Sequence, residues 1–265
     1  MHIQQEQMLT EEAIRAGLGT ASIGHRVVFR QSVSSTNTLA RELAEEGAPE
    51  GTLVLAEEQT AGRGRLGRRW LAPSGTSLLL SLVLRPQLPA AKAPQLTIIS
   101  ALAVRSAIGE TVGLPAQLKW PNDILIHGRK VGGILIESSS LGAGLRYVIV
   151  GIGVNVNMPP QALPAHFHAT SIGHELGRVV PRLALLQALL QQFEARYRDL
   201  SSGASPLSEW SEALVTLGQW VCISTPQGER RGLAVAVDED GALLLRDEDG
   251  EIRRVLAGDV TTREH

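Results

Sequence analysis

Four arginines and three glycines fall within nine residues, Gly62-Arg63-Gly64-Arg65-Leu66-Gly67-Arg68-Arg69-Trp70. From Gln59 to Gly109 the chain has no aspartate or glutamate. A guanidinium fork matches the paired oxygens of phosphate or carboxylate, and glycine lets backbone N–H groups approach an anion closely. The whole chain has a formal net charge of -2, so this positive charge is local rather than general. Such a loop suits closure around a phosphate- or carboxylate-bearing ligand. A solvated basic loop or a DNA-contacting hairpin would carry the same residues, and the loop alone does not separate these readings. It lacks the Gly-Lys-Ser/Thr ending of a Walker loop and the tight turn of a dinucleotide fingerprint.

Three further segments combine chemistry with unusual backbone. In Lys119-Trp120-Pro121-Asn122-Asp123, proline would interrupt a central ladder, and Pro-Asn-Asp is good turn chemistry. The same residues would also set Asn122 and Asp123 at the mouth of a sheet, near a cation or a ribose. Lys130-Val131-Gly132-Gly133-Ile134-Leu135-Ile136-Glu137 starts an apolar strand with a lysine and two glycines. There the lysine is either a hairpin residue in water or a point charge set against an anion. Val150-Gly151-Ile152-Gly153-Val154-Asn155-Val156-Asn157 leaves one face of a strand bare. A flat ligand or a closely packed helix could lie on that face, with the asparagine amides available to bond. The histidines, including His166, His168 and His174, have no spacing that argues for a metal site.

The elements that must position these residues follow from periodicity and punctuation. Helices are expected over Glu11–Ala16 capped by Thr10, Thr38–Glu46 after the Ser34–Asn37 cap candidates, Ala93–Val112 and Arg182–Leu200, with a short one around Trp210. Strands are expected over Arg26–Gln31, Thr52–Glu57, Ser77–Leu84, Asp123–Ile126, Lys130–Ser138 and Leu145–Val156. The gaps between the last three are too short for helical crossovers, so they pair antiparallel. Beyond Leu217, four short strands at Trp220–Thr225, Gly232–Val237, Ala242–Leu245 and Ile252–Leu256 alternate with turns such as Pro226-Gln227-Gly228, the pattern of a small β-barrel.

Composition narrows the classes. At 265 residues, 43% hydrophobic and 20% charged, the chain is that of an ordinary globular protein with one large and one small domain. Cys222 is its single cysteine, which excludes an internal disulfide and a multi-cysteine metal site. No run is long enough to span a bilayer and the first dozen residues are polar, so no membrane is expected and the cytoplasm is the expected compartment. Aromatic residues at 3% supply few stacking platforms for single-stranded nucleic acid.

Taken in order, Gly-Arg-Gly-Arg-x-Gly-Arg-x-Trp, Lys-Trp-Pro-Asn-Asp and Lys-x-Gly-Gly-Ile-Leu-x-Glu resemble the biotin–protein ligase family over nearly the whole chain from Arg26. The resemblance implies an α/β fold of the α+β type, with a mixed, largely antiparallel sheet flanked by helices and a small SH3-like β-barrel after it. It divides the chain into an N-terminal helical tail (1–25), a catalytic domain (26–214) and a barrel (215–265). It implies that biotin is activated with MgATP to biotinyl-5′-AMP and passed to a lysine of a biotin carboxyl carrier domain. Ser35, Thr36, Asn37 and Gln59 match the biotin-holding positions. Gly62, Arg63, Gly64, Arg65 and Trp70 match the segment that folds over biotin and its adenylate. Lys130 and Gly132 match the strand beside the reacting carboxylate, with Lys130, Arg65 and Arg68 as the catalytic set. The resemblance further assigns Arg68 and Asp123 to the phosphates and their Mg2+, and Asn155 to the nucleotide.

The aromatic that covers adenine in some relatives is not identifiable in this sequence, which leaves Phe167, His168 or no residue in that place. The two dozen residues before the core are fewer than a three-helix DNA-binding module needs, so DNA binding is not expected. Lipoate or octanoate ligases share such a core but lack Gly-Arg-Gly-Arg. The oligomeric state, a homodimer included, is left open. The glycines and unpaired charge of the loop predict mobility when it is empty.

Overall fold

The computed structural model describes residues 9–142, 144–163, 168–225 and 228–262. Met1–Met8 of the N-terminal tail, residue 143 of one expected turn, Pro164–Phe167 of the proline-rich loop and the Pro226-Gln227 turn lie outside the described residues.

Seven strands form the main sheet, in the order β1-β2-β3-β7-β6-β5-β4: β1 (Val27–Val33), β2 (Thr52–Gln59), β3 (Ser77–Leu84), β4 (Gln117–Lys119), β5 (Asp123–Ile126), β6 (Arg129–Leu141) and β7 (Gly144–Asn155). Only β1 and β2 run parallel, across the connection made by a helix over Thr36–Glu45, and the other pairs are antiparallel. The sheet is therefore mixed and largely antiparallel. All eight residues of β3 are buried, as its central place in the sheet requires, and its sequence of leucines, valine and two serines has no charge to oppose that.

The helices are α1 (Glu11–Arg15), α2 (Thr36–Glu45), α3 (Pro94–Val112), α4 (Ile172–Leu176), α5 (Arg182–Ser201) and α6 (Leu207–Ala213). Thr10 caps α1 by accepting the Ala13 N–H. Proline opens α3, and Gly113, at φ 72°, closes it in the left-handed region. At α2 the expected start shifts by two residues. Ser35 occupies the cap position without a side-chain bond, and Thr36 and Asn37 are already helical. Their side chains are engaged in the site instead of the cap.

The two faces of the sheet differ because side chains alternate along a strand. Leu78, Leu80, Leu82, Val148, Val150, Ile152 and Val154 join α3 and α5 in the main core. Truncating one of these leucines to alanine is expected to cost about 2–5 kcal/mol. The opposite face carries α2 through Ala40, Ala44, Val54, Val83 and Ile149. Along β7 the positions in phase with Ile149 are Gly151, Gly153 and Asn155. The strand register sets Gly153 opposite Gly133 and Gly151 opposite Leu135 on β6.

A second, all-antiparallel sheet follows, in the order β11-β10-β9-β8-β12: β8 (Trp220–Thr225), β9 (Gly228–Val237), β10 (Leu243–Arg246), β11 (Ile252–Val255) and β12 (Asp259–Thr262). Four strands were expected; β12 is the fifth, pairing with β8. Val221, Ile223, Ala234, Leu243 and Leu245 continue the main core into this sheet. Trp120, 1% exposed, fastens the two sheets, since its indole N–H donates to Gly241 O at 3.0 Å and its backbone N–H to Thr216 Oγ1 at 2.9 Å. Among the described residues no helix is long and apolar enough to cross a membrane.

Candidate active site

The arginine segment is a hairpin-like flap over the α2 face of the sheet. Trp70 N–H donates to Gly62 O at 2.9 Å and Gly64 N–H to Arg68 O at 2.7 Å, with a short 3-10 turn at Arg65–Gly67. The expectation of unpaired charge fails for Arg63 and Arg68, which meet carboxylates far along the chain, while Arg65 finds a neutral amide. Arg63 pairs with Glu137 through both nitrogens, at 3.0 and 3.1 Å. Arg65 Nη1 donates to Asn122 Oδ1 at 3.1 Å. Arg68 is ion-paired with Asp259 at the start of β12. Three tethers hold the loop closed over a cleft of about 1130 Å³, its open mouth included.

The cleft collects most of the residues singled out from sequence. Ser35, Thr36, Asn37, Gln59, Arg63, Gly64, Arg65, Arg68, Trp70, Lys130 and Asn155 all line it. Gly62 is buried and is not in the cleft lining; a Cβ there would collide with Trp70 O. Gly132 is on the other side of β6, facing Ile124; Gly133 lies in the cleft wall. One residue of register separates them, and strand alternation decides which is which. Asp123 stands behind Lys130 rather than in the wall. Phe167 is outside the described residues, and His168 is exposed and not in the lining.

The bare strip on β7 is occupied by the protein itself. A Cβ at Gly153 would come within 2.7 Å of the Trp70 ring, and one at Gly151 would collide with the Asn37 amide. Neutral polar groups form one part of the lining. Gln59 Oε1 accepts from Thr36 N–H at 2.7 Å and lies 3.1 Å from Thr36 Oγ1. Ser81 Oγ sits 2.8 Å from Thr36 Oγ1 and 2.6 Å from Asn37 Oδ1. Asn37 Nδ2 donates to Leu135 O and Glu137 Oε2.

Cations form another part. Lys130 Nζ is 2.5 Å from Asp123 Oδ1 and 5.7 Å from the Trp70 ring centroid. Arg65 and Lys130 are thus fixed by consecutive residues, Asn122 and Asp123, which is what the turn after Trp120 accomplishes. Burial pulls the Arg65 pKa below its ordinary value, against the attraction of Asp259 and Asp123. Lys119 is lowered too, first by burial and then by Lys130 and Arg68, while Asp123 and Asp259 oppose the shift. Partly desolvated cations crowded together favour an incoming anion.

Among the described residues four buried side-chain polar atoms have no hydrogen-bond partner, and two of them belong to Trp70 (Nε1, a donor) and Asn155 (Oδ1, an acceptor). Both residues line the cleft, so a ligand there is offered one group of each kind.

Residues 29–155 match the Biotin/lipoate A/B protein ligase family, and residues 216–263 match the Biotin protein ligase C terminal domain. The "Bifunctional ligase/repressor BirA" of Bacillus subtilis (strain 168) is 40% identical over 262 residues, which are 97% of this chain and 80% of that protein. The chain belongs to the biotin protein ligase family. The "Biotin--[acetyl-CoA-carboxylase] ligase" of Paracoccus denitrificans is 41% identical over 80% of this chain and 90% of that one. The structure of "Biotin protein ligase from Aquifex aeolicus in complex with biotin and ATP" superposes with a TM-score of 0.77 at 29% identity, over 91% of this chain and 100% of that one. A fold shared with biotin protein ligases accounts for both sheets.

Sequence reasoning assigned no role to Glu137, Lys119 or Asp259, and Asn122, expected near a cation or a ribose, meets the Arg65 guanidinium. Glu137 was readable, being in phase with Gly133 and Leu135 on β6. Asp259 carried no signal, because its meeting with Arg68 depends on how the second sheet docks. Among the described residues no three or more of His, Cys, Asp and Glu come together to hold a metal, and Asp123 is engaged with Lys130.

Proposed function

We propose that this chain is a biotin–protein ligase that activates biotin with ATP as biotinyl-5′-AMP and transfers it to a lysine of a biotin carboxyl carrier domain. The observation that carries the reading is one cleft under the tethered flap that combines a neutral hydrogen-bonding lining with the half-buried cations Arg65 and Lys130.

Thr36, Asn37, Gln59 and Ser35 hold the uncharged part of biotin, whose ring amide offers donors and acceptors for such groups. Trp70, packed against Gly153, forms an apolar wall. In the first half-reaction a biotin carboxylate oxygen attacks the α-phosphorus of ATP and pyrophosphate leaves. Two anions repel as they approach, and the positive field of Lys130 and Arg65 lowers that barrier. Arg68 serves the departing phosphates and exchanges Asp259 for them. Asn155 Oδ1 accepts from the base amino group. In the second half-reaction the uncharged amine of the carrier lysine attacks the acyl carbon, AMP leaves, and the amine loses a proton. Arg63 and Glu137 keep the flap shut meanwhile, excluding water from the anhydride. Magnesium reaches the site with the triphosphate, since such ions keep several waters and need few protein ligands. We place the division between catalytic and C-terminal units after residue 214. DNA binding forms no part of this reading.

Incubation with biotin, MgATP and an apo carrier domain, followed by streptavidin blotting, tests it. Labelling of one carrier lysine is expected. Absence of labelling together with transfer of lipoate would overturn the reading.

A further inference from the structure

Glu175 lies outside the cleft, yet its carboxylate is only 4% exposed and is served from three directions. His127 Nδ1 is 2.8 Å from Oε2, Arg129 Nη2 is 2.6 Å from Oε1, and the Thr170 hydroxyl donates to Oε1. Burial alone would push the Glu175 pKa up; the bonds from Thr170, His127 and Arg129 outweigh it and hold the acid ionised below its ordinary range. The β5–β6 turn, which leads into Lys130, is thereby tied to α4.

Thr170 carries the connection inward. Its side chain is fully buried, its N–H donates to Lys130 O at 2.8 Å, and its carbonyl accepts from Asn155 Nδ2 at 3.1 Å. That last bond fixes the polarity of the asparagine amide. A flipped amide would set Oδ1 against the Thr170 carbonyl, oxygen against oxygen, and leave a buried donor unpaired. Asn155 is 5% exposed, and its Oδ1 has no partner among the described residues. The cleft therefore receives an acceptor from Asn155 and no donor.

We infer that Glu175 is a positioning residue for nucleotide selection, holding Thr170 so that Asn155 presents only an acceptor and admits a 6-amino purine in preference to a 6-oxo purine. This rests on the reading that Asn155 faces the base of the nucleotide. An amino group donates to Oδ1, whereas a 6-oxo group brings a second acceptor against it. Sites built to bond a substrate N–H reject the analogue lacking it by about 10⁴ or more.

The experiment compares ATP with inosine triphosphate in biotin-adenylate formation by the full chain. The wild type is expected to favour ATP strongly. Glu175→Gln, which keeps the shape and removes the charge, is expected to raise KM for ATP about tenfold, lower the ATP preference by a similar factor, and leave KM for biotin within about twofold. Thr170→Val should reproduce this and add little to Glu175→Gln, because both act through one contact, while Thr170→Ser should retain the preference. Should Glu175→Gln fail to fold, Thr170→Val alone carries the test. A uniform loss with unchanged nucleotide preference in these variants would overturn the inference. Asn155→Ala separates the two levels. If it shifts the preference while Glu175→Gln and Thr170→Val do not, Asn155 reads the base without help from Glu175. If Asn155→Ala also leaves the preference unchanged, the assignment of Asn155 to the base fails and the inference with it.

Discussion

The Trp70 indole occupies the space that any side chain at position 153 would need, with ring atoms 2.7 and 2.8 Å from an ideal Cβ there. The relationship fixes the ring against β7 and leaves its other surface to the cleft. Gly153→Ala is expected to displace the ring, cost about 1–3 kcal/mol of stability, and lower kcat/KM for biotin activation about 100-fold. Urea unfolding and biotin-dependent ATP–pyrophosphate exchange measure the two effects. Adding Trp70→Ala should remove the stability penalty of Gly153→Ala. A penalty that persists in the double variant would mean that contact with Trp70 is not its source.

The Arg68–Asp259 pair bridges the flap and the second sheet, with side chains 54% and 24% exposed. At that exposure its expected contribution to global stability is small, about 0–1 kcal/mol. Its effect should be local instead. Asp259→Ala is expected to leave the unfolding midpoint nearly unchanged and to speed tryptic cleavage within Arg63–Arg69 severalfold. Biotin with ATP should restore protection. Cleavage at the wild-type rate would show that Arg63 and Arg65 hold the flap without help from Asp259.

The legible and illegible parts of this protein separate along physical lines. Strand β3 and helix α3 were readable to within a residue, since apolar runs, an N-terminal proline and a glycine stop are local signals. The site was readable as a set of motifs because glycines and cations are costly to keep without a use. What escaped was pairing. Gly132 and Gly133 look alike in sequence, and only the register against Gly153 tells which faces the cleft. The short strands β4 and β12 escaped as well. Lys119 of β4 sits among charges that a strand reading disfavours, and β12 is formed by partnership with β8. Arginines that seem unpaired over fifty residues of sequence find Glu137, Asn122 and Asp259 only after folding.

Glu57 and Arg182 form a two-point ion pair at 2.7 and 3.0 Å, each side chain 10% exposed, and Arg182 also donates to Ser77 O at 3.1 Å. It joins the start of α5 to β2, two residues before Gln59. Arg182→Met leaves a buried carboxylate without its partner and is expected to cost about 3–5 kcal/mol in urea unfolding. Glu57→Leu combined with Arg182→Met should recover most of that loss. If the double variant is no better than the single, the pair is needed for geometry rather than for charge balance.

The Glu194 carboxylate replaces a helix or sheet partner for the turn before β1, accepting the Ala21, Ser22 and Ile23 N–H groups at 2.6, 2.7 and 2.8 Å. Burial would raise its pKa, but these backbone donors outweigh that and lower it below the ordinary value of 4.5. A group depressed in the folded state binds fewer protons there than in the unfolded chain. Its contribution is therefore complete above the unfolded value and is lost as pH falls through the folded one. Glu175 acts in the same direction. Stability is expected to fall from pH 6 toward about pH 3, and Glu194→Gln should be less stable at neutral pH with a shallower acid decline. Urea unfolding of wild type and variant across that range decides it, and parallel pH profiles would remove Glu194 from the account of acid sensitivity.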